Sequence, residues 1–303
     1  MAKEKISVVV TDLDNTLYDW VAPWFARYTT LIDLLEQRAQ IPRDTLLTEI
    51  RHAHQISHTS EPPDILSKVP CVVSARKRGI TQDTLNSCAT EADKAGIRAL
   101  ALYPGVKDVL SRFKADNVLV VGFTESQAYS TRFRLQALGL DGLLPLVFSR
   151  RDHGLSEDYH RVMFPLYQTH HRVLPPTFAG KPDPGTLRKI VEGTGVVPEK
   201  CVYVGDSILK YICMAQAVGV HDVHAKYGEA HNRPAYEFLR TLSHWTSEDI
   251  IKEQRVAPTC LAAPRVSLST SFDQLFDHFQ FEPHFRQRTP PRSPESVYSD
   301  VGR

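Results

Sequence analysis

The amino-acid sequence predicts an α/β fold, with a Rossmann-like, doubly wound parallel sheet and a helical module inserted after the first strand. Short and almost continuously apolar segments recur along the chain, a pattern that is typical of strands buried on both faces. Amphipathic segments with helical spacing separate these strands, which favours helical crossovers between parallel strands. The alternation is interrupted once, because residues 19–100 contain several helical patterns but no good strand.

The predicted strands are best defined where β-branched residues cluster, since these side chains favour extended backbone. They comprise residues 7–11, 118–124, 145–149, 201–205 and 220–225. The helices between them carry end signals: Pro104 stands in a favourable first-turn position, and Gly139 ends the segment SQAYSTRFRLQALG. Further helices are predicted in PGTLRKIVEGTG and ILKYICMAQAVG.

The interruption predicts two structural units and a tail. Residues 1–18 and 101–256 are expected to form the sheet domain, and residues 19–100 a helical cap. Residues 257–303 are expected to form a tail that is largely disordered from about residue 284, because Pro, Ser and charged residues dominate there.

Composition argues against several broad classes of function. Thirty-six basic residues oppose 35 acidic ones and give a formal net charge of +1, so no extended basic surface for nucleic acid or anionic membrane is expected. No apolar run approaches the length of a bilayer span. The segment MAKEKISVVV does not resemble a signal peptide, and the five cysteines are scattered without a CxxC pair, which predicts reduced thiols in a cytoplasmic protein.

Two carboxylates follow the first predicted strand directly. Asp12 and Asp14 are separated only by Leu13, so along an extended chain their side chains face the same side. Like charges this close need a cation, and Mg²⁺, which prefers oxygen ligands, would neutralise the pair at the edge where open α/β sheets bind ligands. The structural alternative is that Asp14 or Asn15 caps a helix or forms a turn.

Three further polar sites follow predicted strands or open the next helix. Thr124 offers a hydroxyl and Glu125 a backbone N–H where a phosphate oxygen would fit, and a helix cap is the structural alternative. Lys181 in AGKPDPG is either a rigidly placed ammonium group or a solvent-facing turn lysine. Asp206 either supplies a third carboxylate for a metal ion or caps the following helix.

Taken together, the segments DLDNT, FTES, GKPDP and VGDS resemble the four motifs of the haloacid dehalogenase superfamily. The segment LYPGV at 102–106 is similar to that family's usual return into the sheet domain. The resemblance extends over about residues 5–230, and the joint match is far more specific than any single motif. It implies a Rossmann-like domain of the phosphatase type, with a helical cap inserted after the first strand.

The resemblance also implies a role for each motif residue. Asp12 would be the nucleophile that attacks a phosphoryl group, and Asp14 would protonate the leaving alkoxide and then activate water. The carboxylates of Asp12 and Asp206 and the backbone carbonyl of Asp14 would bind Mg²⁺. The phosphate oxygens would be bound by Thr124, the backbone N–H of Glu125, and Lys181.

Asp14 also separates subclasses of this family. Dehalogenases and phosphonatases lack an acid at that place, so the resemblance implies phosphate ester hydrolysis or phosphoryl transfer. The helical insertion resembles a cap that closes over the site, excludes water and selects the substrate, whereas the irregular stretch 150–178 is too short for the family's larger cap. Three aromatic residues either line the substrate pocket or pack the hinge between cap and core: Tyr18, Trp20 and Trp24.

One position departs from the family pattern. The family usually places a second acid four or five residues after the Asp of its fourth motif, where this chain has Lys210 and Tyr211. Indirect partners of this kind typically change metal affinity or activity by about 10–100-fold. Tyr211 would supply a hydrogen bond without a charge, and Lys210 either approaches the carboxylates and weakens the need for metal or points to solvent.

The sequence therefore predicts a Mg²⁺-dependent phosphatase that acts on a small phosphorylated metabolite. The alternatives are a weakly active or inactive relative that binds a phosphorylated ligand or a protein partner, and a phosphomutase. Neither nucleic acid nor membrane is expected as a partner. The substrate, the oligomeric state and the role of the tail are left open by the sequence.

Overall fold

The computed structural model describes residues 3–152, 155–178, 180–248 and 263–285. Its strands are β1 (Glu4–Ile6), β2 (Val8–Thr11), β3 (Leu119–Gln127), β4 (Leu146–Arg150), β5 (His170–Val173), β6 (Cys201–Gly205), β7 (His221–His224), β8 (Val266–Ser267) and β9 (Phe279–Phe281). Seven of them form one parallel sheet in the order β5-β4-β3-β2-β6-β7-β8. A second, two-stranded parallel sheet pairs β1 with β9.

Some helices pack against the sheet, and those that follow β2 form a separate helical unit. The first five are α1 (Val21–Ala39), α2 (Arg43–Ser57), α3 (Ile65–Lys68), α4 (Pro70–Lys77) and α5 (Gln82–Ala99). The others are α6 (Val106–Ala115), α7 (Ala128–Ala137), α8 (Glu157–Met163), α9 (Pro184–Thr194), α10 (Cys213–Val218), α11 (Pro234–Leu242) and α12 (Leu275–His278). A π-helical turn at Ile208–Ile212 precedes α10. None of the described helices is long and apolar enough to cross a membrane.

Strand β2 is central because its side chains are buried on both faces of the sheet. Val9 packs in one apolar cluster with residues such as Leu110, while Val8 and Val10 pack in another with residues such as Leu187. The strand pairs with β3 on one side and β6 on the other, both parallel. The ends of these three strands therefore meet at one edge, as the predicted doubly wound sheet requires.

The helical cap has its own apolar core. Residues of α1, α2, α4 and α5 form one buried cluster, and Leu239 and Leu242 of α11 belong to the same cluster. The sequence assigned α11 to the sheet domain, but its apolar side chains pack on the cap because they are spaced along one helical face. His54 fixes this contact, since its two ring nitrogens hydrogen-bond the Leu242 carbonyl and the Tyr28 hydroxyl at 2.6 and 2.9 Å.

The chain segments that connect cap and sheet domain meet at one polar contact. Arg233, at the start of α11, pairs with Asp19 at 2.7 Å and donates to the Tyr103 hydroxyl at 3.3 Å. Asp19 lies just before α1, and its backbone N–H donates to the Ala101 carbonyl at 3.1 Å. The three segments therefore share one hinge region.

The described part of the predicted tail belongs to the core. Strand β8 extends the main sheet next to β7, and β9 pairs with β1. Phe272, Leu275 and Phe279 are buried in the same cluster as Ile6. The expectation of a tail separate from the core is therefore wrong for these residues, because isolated apolar side chains in short elements give little periodic signal. The predicted disorder lies mostly outside the described residues.

The main predicted elements are confirmed. All five predicted strands occur with shifts of a few residues at their ends, and the stretch 150–178 contains α8 and β5 rather than only irregular chain. The strands that the sequence reasoning missed are no longer than four residues. Cys71, Cys88 and Cys201 are free thiols as expected, whereas Cys213 is disulfide-bonded, so the expectation of reduced cysteines throughout is wrong.

We predict that Phe272→Ala lowers the free energy of unfolding by about 3–5 kcal/mol, because the ring is fully buried and its loss leaves a cavity. Phe285→Ala is the matched control. That ring is 77% exposed, so its removal should change stability by less than about 0.5 kcal/mol. Urea unfolding of both variants measures the difference, and equal effects would contradict the placement of residues 266–281 in the core.

Candidate active site

The site is built around a buried ion pair at the carboxyl edge of the sheet. Lys181 Nζ donates to Asp12 Oδ1 at 2.6 Å and to the Phe123 carbonyl at 2.6 Å. The lysine side chain is fully buried and Asp12 is only 3% exposed. The ammonium also lies 4.4 Å from the centre of the Phe123 ring and 4.5 Å from that of Tyr211. The turn lysine is therefore not in solvent but is held against the first motif.

Tyr211 is one of the two residues at the chain position where the family pattern has a second acid, and it contacts Asp12. Its hydroxyl donates to Asp12 Oδ2 at 3.1 Å, and its side chain is buried. The ring lies directly against Gly205, where an added Cβ would be 2.3 Å from Tyr211 Cδ2. A glycine at the end of β6 is therefore what allows this ring to approach Asp12.

Asp14 belongs to the same site, and three side chains donate hydrogen bonds to its carboxylate. Its Oδ2 accepts from the hydroxyls of Thr124 at 3.0 Å and Ser126 at 2.7 Å. Its Oδ1 accepts from Arg134 at 3.1 Å. The structural alternative is met in part by Asn15, which has a positive φ of 56° and accepts from the Trp20 backbone N–H near the start of α1. Thr124 therefore contacts Asp14 directly.

Burial and the charge of Lys181 shift the pKa of Asp12 in opposite directions. Burial and the neighbouring Asp14 raise the pKa of Asp12, while Lys181 and the Tyr211 hydroxyl act to lower it. Burial and the charge of Asp12 also raise the pKa of Asp206 to about 8. Two carboxyl groups that destabilise each other's charged form in this way favour a bound cation.

The donor set fits a hard divalent cation. The described residues contain no cluster of three or more His, Cys, Asp or Glu side chains that could hold a metal ion, so side chains alone would not complete the coordination here. Asp12 and Asp206 supply two carboxylates, which leaves backbone carbonyls such as that of Asp14, together with solvent and substrate, for the other positions. Oxygen ligands of this kind are those that Mg²⁺ prefers, because it usually retains several waters. The helix following Asp206 is capped instead by Ser207, whose hydroxyl accepts from the Lys210 backbone N–H.

Glu125 links three surrounding basic residues of the site. Its Oε1 accepts from the Lys181 backbone N–H at 3.1 Å and lies 3.3 Å from Arg150, while its Oε2 lies 3.3 Å from Lys210 Nζ. Burial raises the pKa of Glu125, but Lys210, Lys181 and Arg150 outweigh it and lower the pKa to about 2. The side chain of Glu125 thus anchors the lysine motif, a role that the sequence reasoning did not assign.

Lys210 was expected either to approach the carboxylates of the site or to point into solvent, and it lies between these two positions. Its side chain is about half exposed at 47%, and its ammonium group pairs with Glu125. Burial lowers its pKa, but Glu125 and Asp206 raise it more. The residue therefore brings positive charge close to the fourth motif without entering the buried Asp12 contact.

The structure brings all the predicted motif residues to one edge, but several contacts were missed by the sequence reasoning. The missed side chains are Glu61, Ser126, Arg134 and Arg150. Arg134 carried a usable signal, because it lies on the buried face of α7 with Thr131 and Leu135. A charged residue on such a face requires a buried partner.

The aromatic residues after the first motif pack rather than line an open pocket. Tyr18 is fully buried in the sheet-domain cluster, and Trp24 is buried in the cap cluster. Trp24 Nε1 donates to the Ser60 carbonyl at 2.9 Å. Trp20 packs at the edge of the cap cluster. These contacts favour the hinge-packing interpretation.

Comparison with known families agrees with this arrangement. Residues 6–219 match the model of the haloacid dehalogenase-like hydrolase family. This match spans well over half of the chain and all four motifs, so the chain belongs to the haloacid dehalogenase-like hydrolases. A comparison with curated proteins finds no match.

Solved structures with low sequence identity also resemble this chain. A 2-haloacid dehalogenase from Pseudomonas syringae pv. Tomato DC3000 has 19% identity and a TM-score of 0.48, covering 90% of this chain and 97% of its own. A candidate beta-phosphoglucomutase from Thermotoga maritima has 18% identity and a TM-score of 0.45, covering 78% and 92%. A predicted phosphoglycolate phosphatase from Haemophilus somnus 129pt has 21% identity and a TM-score of 0.42, covering 82% and 98%.

We predict that Glu125→Gln lowers the free energy of unfolding by about 1.5–3 kcal/mol at pH 7, because it removes a charge that three cations face. The ordinary pKa of a Glu is 4.5 and that of Glu125 is about 2. The stabilisation is therefore present above pH 4.5 and is lost as the pH falls towards 2.

The check is urea unfolding of the parent and Glu125→Gln between pH 7 and pH 2.5. Glu199→Gln is a control, since its side chain has no ion pair among the described contacts. A parent-to-variant difference that does not shrink below pH 4.5 would contradict the assignment.

Proposed function

We propose that this chain hydrolyses a small phosphomonoester through a covalent intermediate on Asp12, with Asp14 as general acid and base. The observation that carries the proposal is the pair of carboxylates at the end of β2. Asp12 is paired with Lys181, and Asp14 is held by hydroxyl groups in the same hollow. A halide leaves without a proton, whereas an alkoxide needs one, so the acid at position 14 supports an ester substrate.

In the first step, a carboxylate oxygen of Asp12 attacks phosphorus and the bond from phosphorus to the ester oxygen breaks. The proton on Asp14 moves to the leaving oxygen, which departs as an alcohol. Lys181 and Thr124 stabilise the negative charge on the transferring group, since both already donate into this hollow.

In the second step, the Asp14 carboxylate removes a proton from water, and the water oxygen attacks the phosphorus of the aspartyl-phosphate. The bond from phosphorus to Asp12 breaks, which releases inorganic phosphate and returns the Asp12 carboxylate. Lys181 then restores the ion pair seen in the structure. The buried position of Asp12 keeps other water from the intermediate.

Mg²⁺ would be held by Asp12, Asp206 and the backbone carbonyl of Asp14. When bound, it supplies positive charge that offsets the repulsion between carboxylates and phosphate. The raised pKa of Asp206 supports this assignment, because a nearby cation favours the charged carboxylate. The expected partner is a small phosphorylated metabolite in the cytoplasm, without nucleic acid or membrane.

We predict that a panel of phosphomonoesters yields inorganic phosphate only with Mg²⁺, and that EDTA stops release. Asp12→Asn should lower kcat by about 10³-fold or more, because it removes the nucleophile. Asp116→Asn, on an exposed residue paired with Arg112, is the control and should leave kcat unchanged. Unchanged phosphate release in Asp12→Asn would exclude the covalent mechanism.

The same assays separate the other classes. A phosphomutase returns an isomeric phosphate ester and retains the phosphoryl group in organic product. A dehalogenase releases halide from a 2-haloacid and no phosphate from the panel. Either outcome in place of phosphate release would overturn the proposed reaction.

A weakly active or inactive relative is the second candidate, and the contact of Tyr211 with Asp12 favours it. The tyrosine hydroxyl donates a hydrogen bond to Asp12 Oδ2, and it carries no negative charge that would bind a metal ion or a metal-bound water. Lys210 adds positive charge beside Asp206, which opposes a nearby divalent cation. Both features are expected to weaken Mg²⁺ binding relative to a site with a second acid.

We predict that Tyr211→Asp tightens Mg²⁺ binding by about 10–100-fold, measured by calorimetric titration in the absence of substrate. Tyr211→Phe should lower kcat, because it removes the donor to Asp12. Tyr203→Phe is the matched control, since the Tyr203 hydroxyl is buried without a hydrogen-bond partner among the described residues. Activity that appears only in Tyr211→Asp would support the inactive relative, and unchanged Mg²⁺ affinity would contradict the role given to Tyr211.

A further inference from the structure

Arg134 joins the cap to the proposed general acid and base. It lies on α7 of the sheet domain, and its side chain is only 8% exposed. One guanidinium nitrogen donates to Asp14 Oδ1 at 3.1 Å and to the Ser126 hydroxyl at 3.3 Å. The other donates to the carboxylate of Glu61, which lies on the cap loop between α2 and α3.

The geometry of this group couples its two partners. A guanidinium is planar and rigid, so its two terminal nitrogens move together. Burial lowers the pKa of Arg134, but Glu61 and Asp14 raise it well above its usual value. A buried cation that loses one of two carboxylates is left partly uncompensated, which changes its preferred position.

The loop of Glu61 borders a cavity at the seam between cap and sheet domain. This cavity of about 520 Å³ is lined by Thr59 and Pro62, which flank Glu61, and by Gln127, which follows Ser126. Asp12 and Lys181 are buried in the same site. The ion pair between Arg134 and Glu61 joins the cap loop to the sheet domain, so a movement of this loop away from the sheet domain would break it.

We propose that Arg134 is a positioning residue that couples docking of the Glu61 loop to placement of the Asp14 carboxylate. With the loop docked, the guanidinium holds Oδ1 of Asp14 while the two hydroxyls hold Oδ2. With the loop undocked, Arg134 shifts and Asp14 keeps only the donors on Oδ2. The general acid and base is then fully positioned only under a closed cap, which excludes water from the intermediate.

This inference rests on the proposed role of Asp14, so its first test measures proton donation to the leaving group. The experiment compares kcat/KM for an alkyl phosphate and for p-nitrophenyl phosphate in Glu61→Gln and the parent. An alkoxide needs a proton on departure and p-nitrophenolate does not. We expect kcat/KM to fall by about 10–100-fold for the alkyl ester, and by less than about 3-fold for the aryl ester.

Glu91→Gln is the matched control. Glu91 also lies on the cap and pairs with an arginine, Arg38, but this pair is on the cap surface. The control should leave both kcat/KM values unchanged. A fall of equal size for the two esters in Glu61→Gln would indicate a general structural effect and would overturn the coupling.

A second measurement does not depend on activity. Coupling between two sites is reciprocal, so neutralising Asp14 should loosen the cap loop. We expect amide hydrogen exchange at residues 58–61 to be faster by about 10-fold in Asp14→Asn and in Arg134→Gln, but not in Glu91→Gln. Exchange rates in Asp14→Asn equal to those of the parent would overturn the coupling, because Arg134→Gln removes the contact with Glu61 directly.

The two measurements separate failure of the inference from failure of the proposed function. If the parent hydrolyses neither ester, the proposed function is wrong, and the exchange rates still decide whether Asp14 and the cap loop are linked. If the parent is active and exchange is unchanged in Asp14→Asn, the proposed function stands and the coupling is wrong.

Discussion

The buried ion pair between Asp12 and Lys181 is the contact on which the rest of the site depends. Removing two charges from water is costly, and their attraction repays that cost only when the geometry is good and the remaining hydrogen bonds are made. Here the ammonium group donates to Asp12 and to a backbone carbonyl, and aromatic rings flank it. A pair of this kind contributes little to stability on its own, so its arrangement is better explained by a functional need for charged groups at these positions.

Distant parts of the chain supply the charged and polar groups of this site. The end of β2 supplies both aspartates, the end of β3 supplies Thr124 and Glu125, and β6 leads to Asp206. Lys181 comes from the turn before α9 and is tied to β3 through the carboxylate of Glu125. Because neighbouring parallel strands end at the same edge, these groups meet without a long connection. The cap contacts this site through the ion pair between Glu61 and Arg134.

Much of this arrangement could be predicted from the sequence. Strand β2 and its two aspartates were predictable because β-branched residues and an alternating carboxylate pair are local signals. The contact between Tyr211 and Asp12 was not, since it depends on Gly205 and on the path of the π-helical turn. The place of α11 on the cap was also missed, because an amphipathic face does not identify its partner. Short strands such as β8 lack enough residues for a pattern.

A crystal structure of the chain with Mg²⁺ and beryllium trifluoride, which imitates a phosphoryl group on a carboxylate, tests the proposed role of Asp12. We expect beryllium bonded to an Asp12 oxygen, fluorines within hydrogen-bonding distance of Lys181 and Thr124, and Mg²⁺ between Asp12 and Asp206. Beryllium trifluoride bound elsewhere, or Lys181 turned away from it while Asp12 remains unmodified, would exclude Asp12 as the nucleophile of this site.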